Sequence, residues 1–530
     1  MQALGFVGEH SETAWLYRLK SALEREVVTP SSSEELIRSS VTSMNYYKTD
    51  WEMEVRDEVN VLERPEQSVA DQLIYTYFRI IHPSFPLIGK TTFLDQYRTF
   101  YSDPTTRPGK RWLAVLNLVF ATAAMHLSRV QNEIERDKYP HLVYFSRAWR
   151  LSMDRTSLRD HPNLQQVQVE GSWKCCGLAI HSALAMGLNF RNESQSVAPL
   201  SKEIRYRVWW ALCVLDTSLS GITGRALLIS GRFSTTPLPM PFEEGDLNSD
   251  HVLNYMQDRA ARSSLIAKLL DSSGQDKTNQ NLAEDVKSYR PVSNKRSLDK
   301  KTTPTVAEYP PPSDSLCFFY AASLTIIMGG AIDTIYAPSA GHKSWQEIET
   351  LVSSLNIKVD NWLESLPISY QFQALSEPGS LKCQSVKLAF QFYSTKLFIT
   401  RPFLARLLSS SPEDSDRSEA ASHPMMATCI QSVGQLIDLL PDEPNLTWLY
   451  GHCPWWCALH YLMQAITIIL TDSFIRAKLG TSDTINATQK LRKARGWLKE
   501  LSKTDVSAHK AWMLSSELIL HHGSRLGLGA

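Results

Sequence analysis

Apolar residues in this sequence return at three- and four-residue intervals, and that rhythm decides the fold class. Ile348, Leu351, Val352, Leu355, Val359, Trp362, Leu363 and Leu366 follow one another in this way until Pro367 stops the pattern. Such spacing lays one apolar stripe along one face of an α-helix. Leu73, Ile74, Tyr77, Phe78 and Ile81 trace a second stripe, closed by His82-Pro83, and Trp173, Gly177, Ile180, Leu184 and Leu188 trace a third. The sets Ile430, Val433, Ile437, Leu440 and Leu491, Ala494, Leu498, Leu501 behave alike. No run alternates apolar and polar residues between hairpin turns, as half-buried strands would. The chain therefore reads as all-α, an irregular multi-helix array in two packed helical blocks.

Three stretches are apolar nearly all round and belong in the interior. Ala114 to Leu127 and Ala458 to Leu470 read as central helices. Leu316 to Ile332 approaches membrane-spanning length, but Gly329-Gly330 interrupts it and Asp333 follows at once, so a buried helix is the better reading and no membrane is expected. Composition marks the joints. Thr29 to Ser43 is Ser-rich, Asp271 to Pro312 is polar with a Pro310-Pro311-Pro312 end, and Ser409 to His423 is rich in Ser and Asp. Such stretches bury too little apolar surface to offset chain ordering and read as mobile. The resulting division is an N-terminal segment with its linker over 1–66, a core over 67–245, a polar linker over 246–312 and a C-terminal helical block over 313–530.

Charge narrows the function. Lys plus Arg and Asp plus Glu both number 55, so the net charge is zero and no excess of cations is available for phosphate backbones. The eight cysteines, Cys175, Cys176, Cys213, Cys317, Cys383, Cys429, Cys453 and Cys457, form no C-x-x-C pair and read as reduced, buried thiols. No signal peptide is evident. No phosphate loop, nucleophile elbow or H-E-x-x-H zinc helix occurs, and the chain does not read as an enzyme.

Two constellations could carry chemistry. In His452-Cys453-Pro454-Trp455-Trp456-Cys457-Ala458-Leu459-His460, helical spacing would put Cys453, Cys457 and His460 on one face, a zinc-type ligand set. The plainer reading is an aromatic core helix with cysteine as a small hydrophobe. The second constellation is Arg205-Tyr206-Arg207-Val208-Trp209-Trp210 leading to Asp216, Ser220 and Gly224-Arg225. Trp209, Leu212, Asp216 and Ser220 share a helical face, and Gly224 can end the helix in a left-handed cap that turns Arg225 back toward Asp216. A buried ion pair between Asp216 and Arg225, pinning the next loop, is one reading. A ligand- or partner-sensing pocket is the other.

Other fragments complete a recognisable order. They are Gly5-Phe6-Val7-Gly8 with Ser11; Tyr77-Phe78 before His82-Pro83-Ser84-Phe85-Pro86; Gln165 to Gln168; Trp173 with Gly177 to Ile180; Ala185 to Asn189; and Tyr393 with Arg401-Pro402-Phe403-Leu404. Together with Arg205 to Arg225, this ordered set resembles the middle homology region of fungal zinc-cluster transcription factors, the xylanolytic-activator regulatory domain. The resemblance spans nearly the whole chain. It implies an all-helical fold, a nuclear location and control of transcription by RNA polymerase II, with Arg205, Arg207, Trp209, Trp210, Asp216, Ser220, Gly224 and Arg225 as its regulatory or structural signature. The partners it implies are coactivators or corepressors, a second copy of the chain, and a small-molecule inducer.

Three departures from the family pattern bear on function. The family's DNA reader is an N-terminal cysteine cluster holding a pair of zinc ions, and this sequence has none. Zinc is then expected only in that missing module, no cofactor in this chain, and DNA contact only through such a module or a partner. Ala226 stands where the family has proline, which should loosen the loop while keeping the Arg225 contact. Only Val169-Glu170-Gly171 separates Gln168 from Ser172-Trp173, where the family continues into a further helix. Loss of that helix would leave neighbouring faces uncovered and the chain poorly soluble or partly molten. The competing reading is a helical protein that binds a small molecule or metal through Asp216/Arg225 or Cys453–His460.

Overall fold

A computed structural model describes residues 8, 10–25, 46, 55–56, 58–103, 105–130, 140–152, 176–229, 231, 234–271, 310–372, 383–409, 423–480 and 484–526. Among the described residues every regular element is a helix, and there is no strand. In chain order they are α1 (Glu12–Arg25), α2 (Gln67–Thr76), α3 (Lys90–Ser102), α4 (Lys110–Val130), α5 (His141–Ser152), α6 (Cys176–Ala185) and α7 (Pro199–Thr223). After them come α8 (Asp250–Gln257), α9 (Arg259–Leu270), α10 (Asp314–Ile335), α11 (Trp345–Glu364), α12 (Cys383–Thr400) and α13 (Pro402–Ser409). The chain closes with α14 (Pro424–Asp438), α15 (Leu446–His452), α16 (Trp455–Leu479), α17 (Thr484–Leu501) and α18 (Val506–His522).

The helix ends follow local chemistry. Ser344 opens α11 as a capping box: its hydroxyl accepts from the Glu347 amide at 3.3 Å, and its own amide donates to the Glu347 carboxylate at 2.7 Å. Ser313 opens α10 in the simpler way, its hydroxyl accepting from the Leu316 amide at 3.1 Å. Gly480 ends α16 in the left-handed region. The stripe that ends at Pro367 faces inward as its spacing requires, with Val352, Leu355, Val359, Trp362, Leu363 and Leu366 buried.

Two cores result. One gathers Ala70 through Leu215 from α2 to α7, and the other gathers α8 to α18. Phe318 of α10 lies in the first core, and Trp210, Val214 and Trp456 pack against both, so α7 and α10 join the two. The helices α4, α10 and α16 are long and apolar enough to cross a membrane. In the fold 61%, 72% and 94% of their apolar windows are buried inside the protein, which accounts for their hydropathy.

One boundary differs from the sequence reading. Residues 250–270 do not behave as part of a polar linker; they form α8 and α9, with Val252, Met256, Leu265, Ile266 and Leu269 buried in the second core. Their few apolar residues fall on one face, which average composition conceals. The N-terminal segment joins that same core, with Trp15, Leu16, Leu19 and Leu23 of α1 buried in it. The interiors of the three linkers, the fragments Gly5–Val7 and Gln165–Gln168, Trp173, Cys175 and the short Val169–Gly171 junction lie outside the described residues.

Candidate functional site: the clamp on the N-terminal segment

The signature helix α7 begins with Pro199 at its first position and ends at Gly224, whose φ of 71° lies in the left-handed region. Its polar residues hold the chain on either side of it. Arg205 donates to the Met186 carbonyl at 3.0 Å, Arg207 to the Phe242 carbonyl at 2.6 Å, and the Trp210 indole to the Pro237 carbonyl at 2.8 Å. Trp209 is fully enclosed. A pair not singled out in the sequence anchors this stretch. Glu203 accepts from the Met240 amide at 2.6 Å and meets Arg262 of α9 at 2.9 Å, both side chains buried.

Asp216 has a different partner from the one its spacing suggested. Its Oδ2 accepts from the backbone amides of Leu228 at 2.9 Å and Ile229 at 2.8 Å, and Arg225 is exposed. Peptide dipoles at Leu228 and Ile229 thus pin the loop to Asp216. Ser220 adds a bond from its hydroxyl to the Ala226 carbonyl at 3.2 Å, so the alanine in place of proline leaves the loop tethered. Burial raises the Asp216 carboxyl to about 6, helped by the nearby Asp333 charge and opposed by the two amides.

The end of α7 also receives the N-terminal segment. The Gly8 amide donates to the Thr223 carbonyl at 3.0 Å. Gly8 lies so close to Gly224 that a Cβ on it would fall inside the Gly224 peptide. Ser11 then caps α1, its hydroxyl bonding the Gly8 carbonyl at 2.9 Å and accepting from the Ala14 amide at 3.2 Å. Between them, the His10 ring lies beside the Ser220 carbonyl and packs on Tyr336 at 5.1 Å and edge-on to Phe398 at 5.8 Å. Burial and the Arg401 charge lower the His10 imidazole to about 4, so it is neutral at physiological pH.

From the opposite side the same segment is held by Arg401, which is 1% exposed. Its guanidinium donates to the His10 carbonyl, to the Tyr336 hydroxyl at 3.0 Å and to Glu12 Oε1 at 3.4 Å. The cation also lies over the rings of Phe398, Tyr336 and Trp15 at 4.3, 5.1 and 5.4 Å. The other Glu12 oxygen, Oε2, is 3.0 Å from His460 Nδ1. That approach is off the line of a hydrogen bond, and both atoms lack a hydrogen-bond partner. His460 Nε2 is 3.4 Å from the Ser394 hydroxyl.

The Cys453–His460 stretch is thereby resolved differently from a zinc site. His460 turns to Glu12, while Cys453 and Cys457 are buried, with burial pushing the Cys457 thiol up to about 12. Among the described residues, no three His, Cys, Asp or Glu side chains come together to hold a metal.

With this geometry in hand, comparison with known proteins is informative. The sequence profile of the fungal specific transcription factor domain matches residues 74–364, more than half of the chain. The chain belongs to this family. It is 27% identical to "Transcription regulator galc" of Aspergillus niger over 99% of its own length and 68% of that protein's. It is 24% identical to the "Transcriptional activator protein DAL81" of Saccharomyces cerevisiae over 67% of its length, and to the "Sorbicillinoid biosynthetic cluster transcription factor 2" of Penicillium rubens over 79%. Of those two relatives it spans 35% and 56% respectively. No solved structure matches.

In this member of the fungal transcription factor family, three fragments separated along the chain meet at one place. The Gly8–Glu12 segment is gripped by Ser220–Gly224 on one side and by Arg401 on the other. Sequence reasoning singled out Gly8, Ser11, Ser220, Gly224 and Arg401, but not that they converge, and it missed His10, Glu12, Tyr336 and the role of His460. Glu12 stands in the first turn of an amphipathic helix, where an acidic residue is ordinary. Nothing local tells that its partner lies 389 positions away.

Proposed function

We propose that this chain, the regulatory region of a fungal transcription factor, acts in the nucleus without catalysis, controlling RNA polymerase II transcription through coactivators or corepressors. DNA reaches it through a zinc-holding reader or a partner, because zero net charge gives this region no general hold on phosphate. No cofactor is assigned to this chain, and a small-molecule inducer and a second copy of the chain are its further partners. The observation that carries the reading is the clamp. The segment at Gly8–Glu12, on the side where the family's DNA reader stands, is seated against both helical blocks at once. A change in either block thus bears on that segment directly.

The test is deletion of the gene in its own host, with transcript profiling and microscopy of the tagged chain. A nuclear signal and a defined set of transcripts that change on deletion and return on complementation are expected. An exclusively extranuclear signal with unchanged transcripts would overturn the proposal.

A further inference from the structure

The grip on Glu12 has the chemistry of a carboxylate receptor that is imperfectly filled. Arg401 supplies the cation, walled by the Phe398 and Tyr336 rings. Its distance of 3.4 Å to Glu12 Oε1 is longer than the ~2.7–2.9 Å of a good charge-assisted bond. Glu12 Oε2 and His460 Nδ1 face each other without a hydrogen bond. On its other side His460 Nε2 is 3.4 Å from the Ser394 hydroxyl. Glu12 is 1% exposed and His460 is 5% exposed, so bulk water does not complete these bonds. Buried polar atoms are seldom left orphaned in this number without a reason.

We propose that the pocket of Arg401 and His460 is a binding site for a small carboxylate, and that Glu12 fills it as an internal stand-in. The proposal deepens the reading of this chain as a signal-receiving region by naming the class of the signal. A free carboxylate is not tied to a helix backbone and can turn both oxygens to the arginine, which Glu12 does not do. Its entry requires Glu12 to leave. Glu12, His10 and Gly8 share one short segment, so their departure also releases the end of α7. Ligand binding and segment docking are then mutually exclusive, and each weakens the other by the same factor.

The site can be read by chemical rescue in the purified full chain. Glu12→Ala removes roughly an acetate's worth of side chain, so acetate is the probe, with chloride at equal ionic strength and pH as the control. Acetate is expected to raise the melting temperature of Glu12→Ala saturably, by about 2–4 °C. The Glu12→Ala/Arg401→Gln double variant should not respond. Should Glu12→Ala fail to fold in chloride, folding in acetate alone is the same result. In the unaltered chain, acetate should speed amide hydrogen exchange across residues 10–25. An indifferent Glu12→Ala in both salts, or a response that survives Arg401→Gln, overturns the site. The functional proposal is read separately by transcripts, so either can fail without the other.

Discussion

Gly8 and Gly224 touch backbone to backbone, the Gly8 amide bonded at 3.0 Å to the carbonyl of Thr223. Neither position has room for a side chain, and Gly224 in addition has φ +71°. Gly8→Ala should therefore destabilise by about 2–3 kcal/mol through overpacking alone. Gly224→Ala should cost more, because the left-handed region adds ~1–2 kcal/mol for any L side chain. Chemical denaturation of both variants is the measurement. A cost within ~0.5 kcal/mol, as at an ordinary surface site, would mean that the segment does not dock there.

Asp216 makes stability depend on pH in an unusual direction. Its carboxyl is raised from 3.8 to about 6, so between those values the folded chain holds the proton and the unfolded chain does not. This term is fully present below the unfolded value and is lost as pH rises through the folded one, by roughly 3 kcal/mol at most. His10, lowered to about 4, runs the opposite way over much of the same window. The difference between the wild type and Asp216→Asn isolates the aspartate. From pH 4.5 to 7.5 the wild type should lose stability relative to the variant. A flat difference would place Asp216 in contact with water.

Coupling should be found at Glu12 and Arg401. Both are buried, and removing either leaves the other charge without its partner at ~3–5 kcal/mol, while removing both should cost less than the sum. Asp216, held by the Leu228 and Ile229 amides, and the exposed Arg225 should behave additively. A double-mutant cycle for each pair decides, and strong coupling at 216/225 with none at 12/401 would reverse the account of the clamp.

In solution the chain should lack sequence-specific affinity for DNA. A zero net charge and the absence of a cysteine-cluster reader in this sequence leave neither a phosphate-contacting surface nor a base-reading helix. Anisotropy titration at physiological salt should show no preference among duplexes. Selective binding at nanomolar concentration would contradict it.

The helices were legible because burial imprints a period on the sequence. Leu316 to Ile332 lies within α10, and the stripe from Ile348 lies within α11 and runs on to Leu366. The clamp was legible only in pieces. Periodicity tells which face of a helix is buried, not which distant helix covers it, so Glu12 and Arg401 could not be joined. Asp216 was misread for a related reason. A buried carboxylate draws attention to nearby cations, but backbone amides occur at nearly every position and leave no mark in a sequence. The 250–270 helices were lost in the average polarity of their surroundings. On α6, Leu178 and Leu184 are 48% and 41% exposed, and the Val169–Gly171 junction itself is outside the described residues.

The central claim is that this regulatory region controls transcription through the way its N-terminal segment is seated. The direct measurement joins a heterologous DNA-binding domain ahead of Gly8 and reads a reporter transcript. The comparison includes the intact chain, Gly8→Ala and Glu12→Ala, each checked for folding and nuclear level. The intact fusion should set a reporter level distinct from that of the DNA-binding domain alone, and both clamp variants should shift it in the same direction. Reporter levels equal to the DNA-binding domain alone in all three, with the fusions folded and nuclear, would contradict the account.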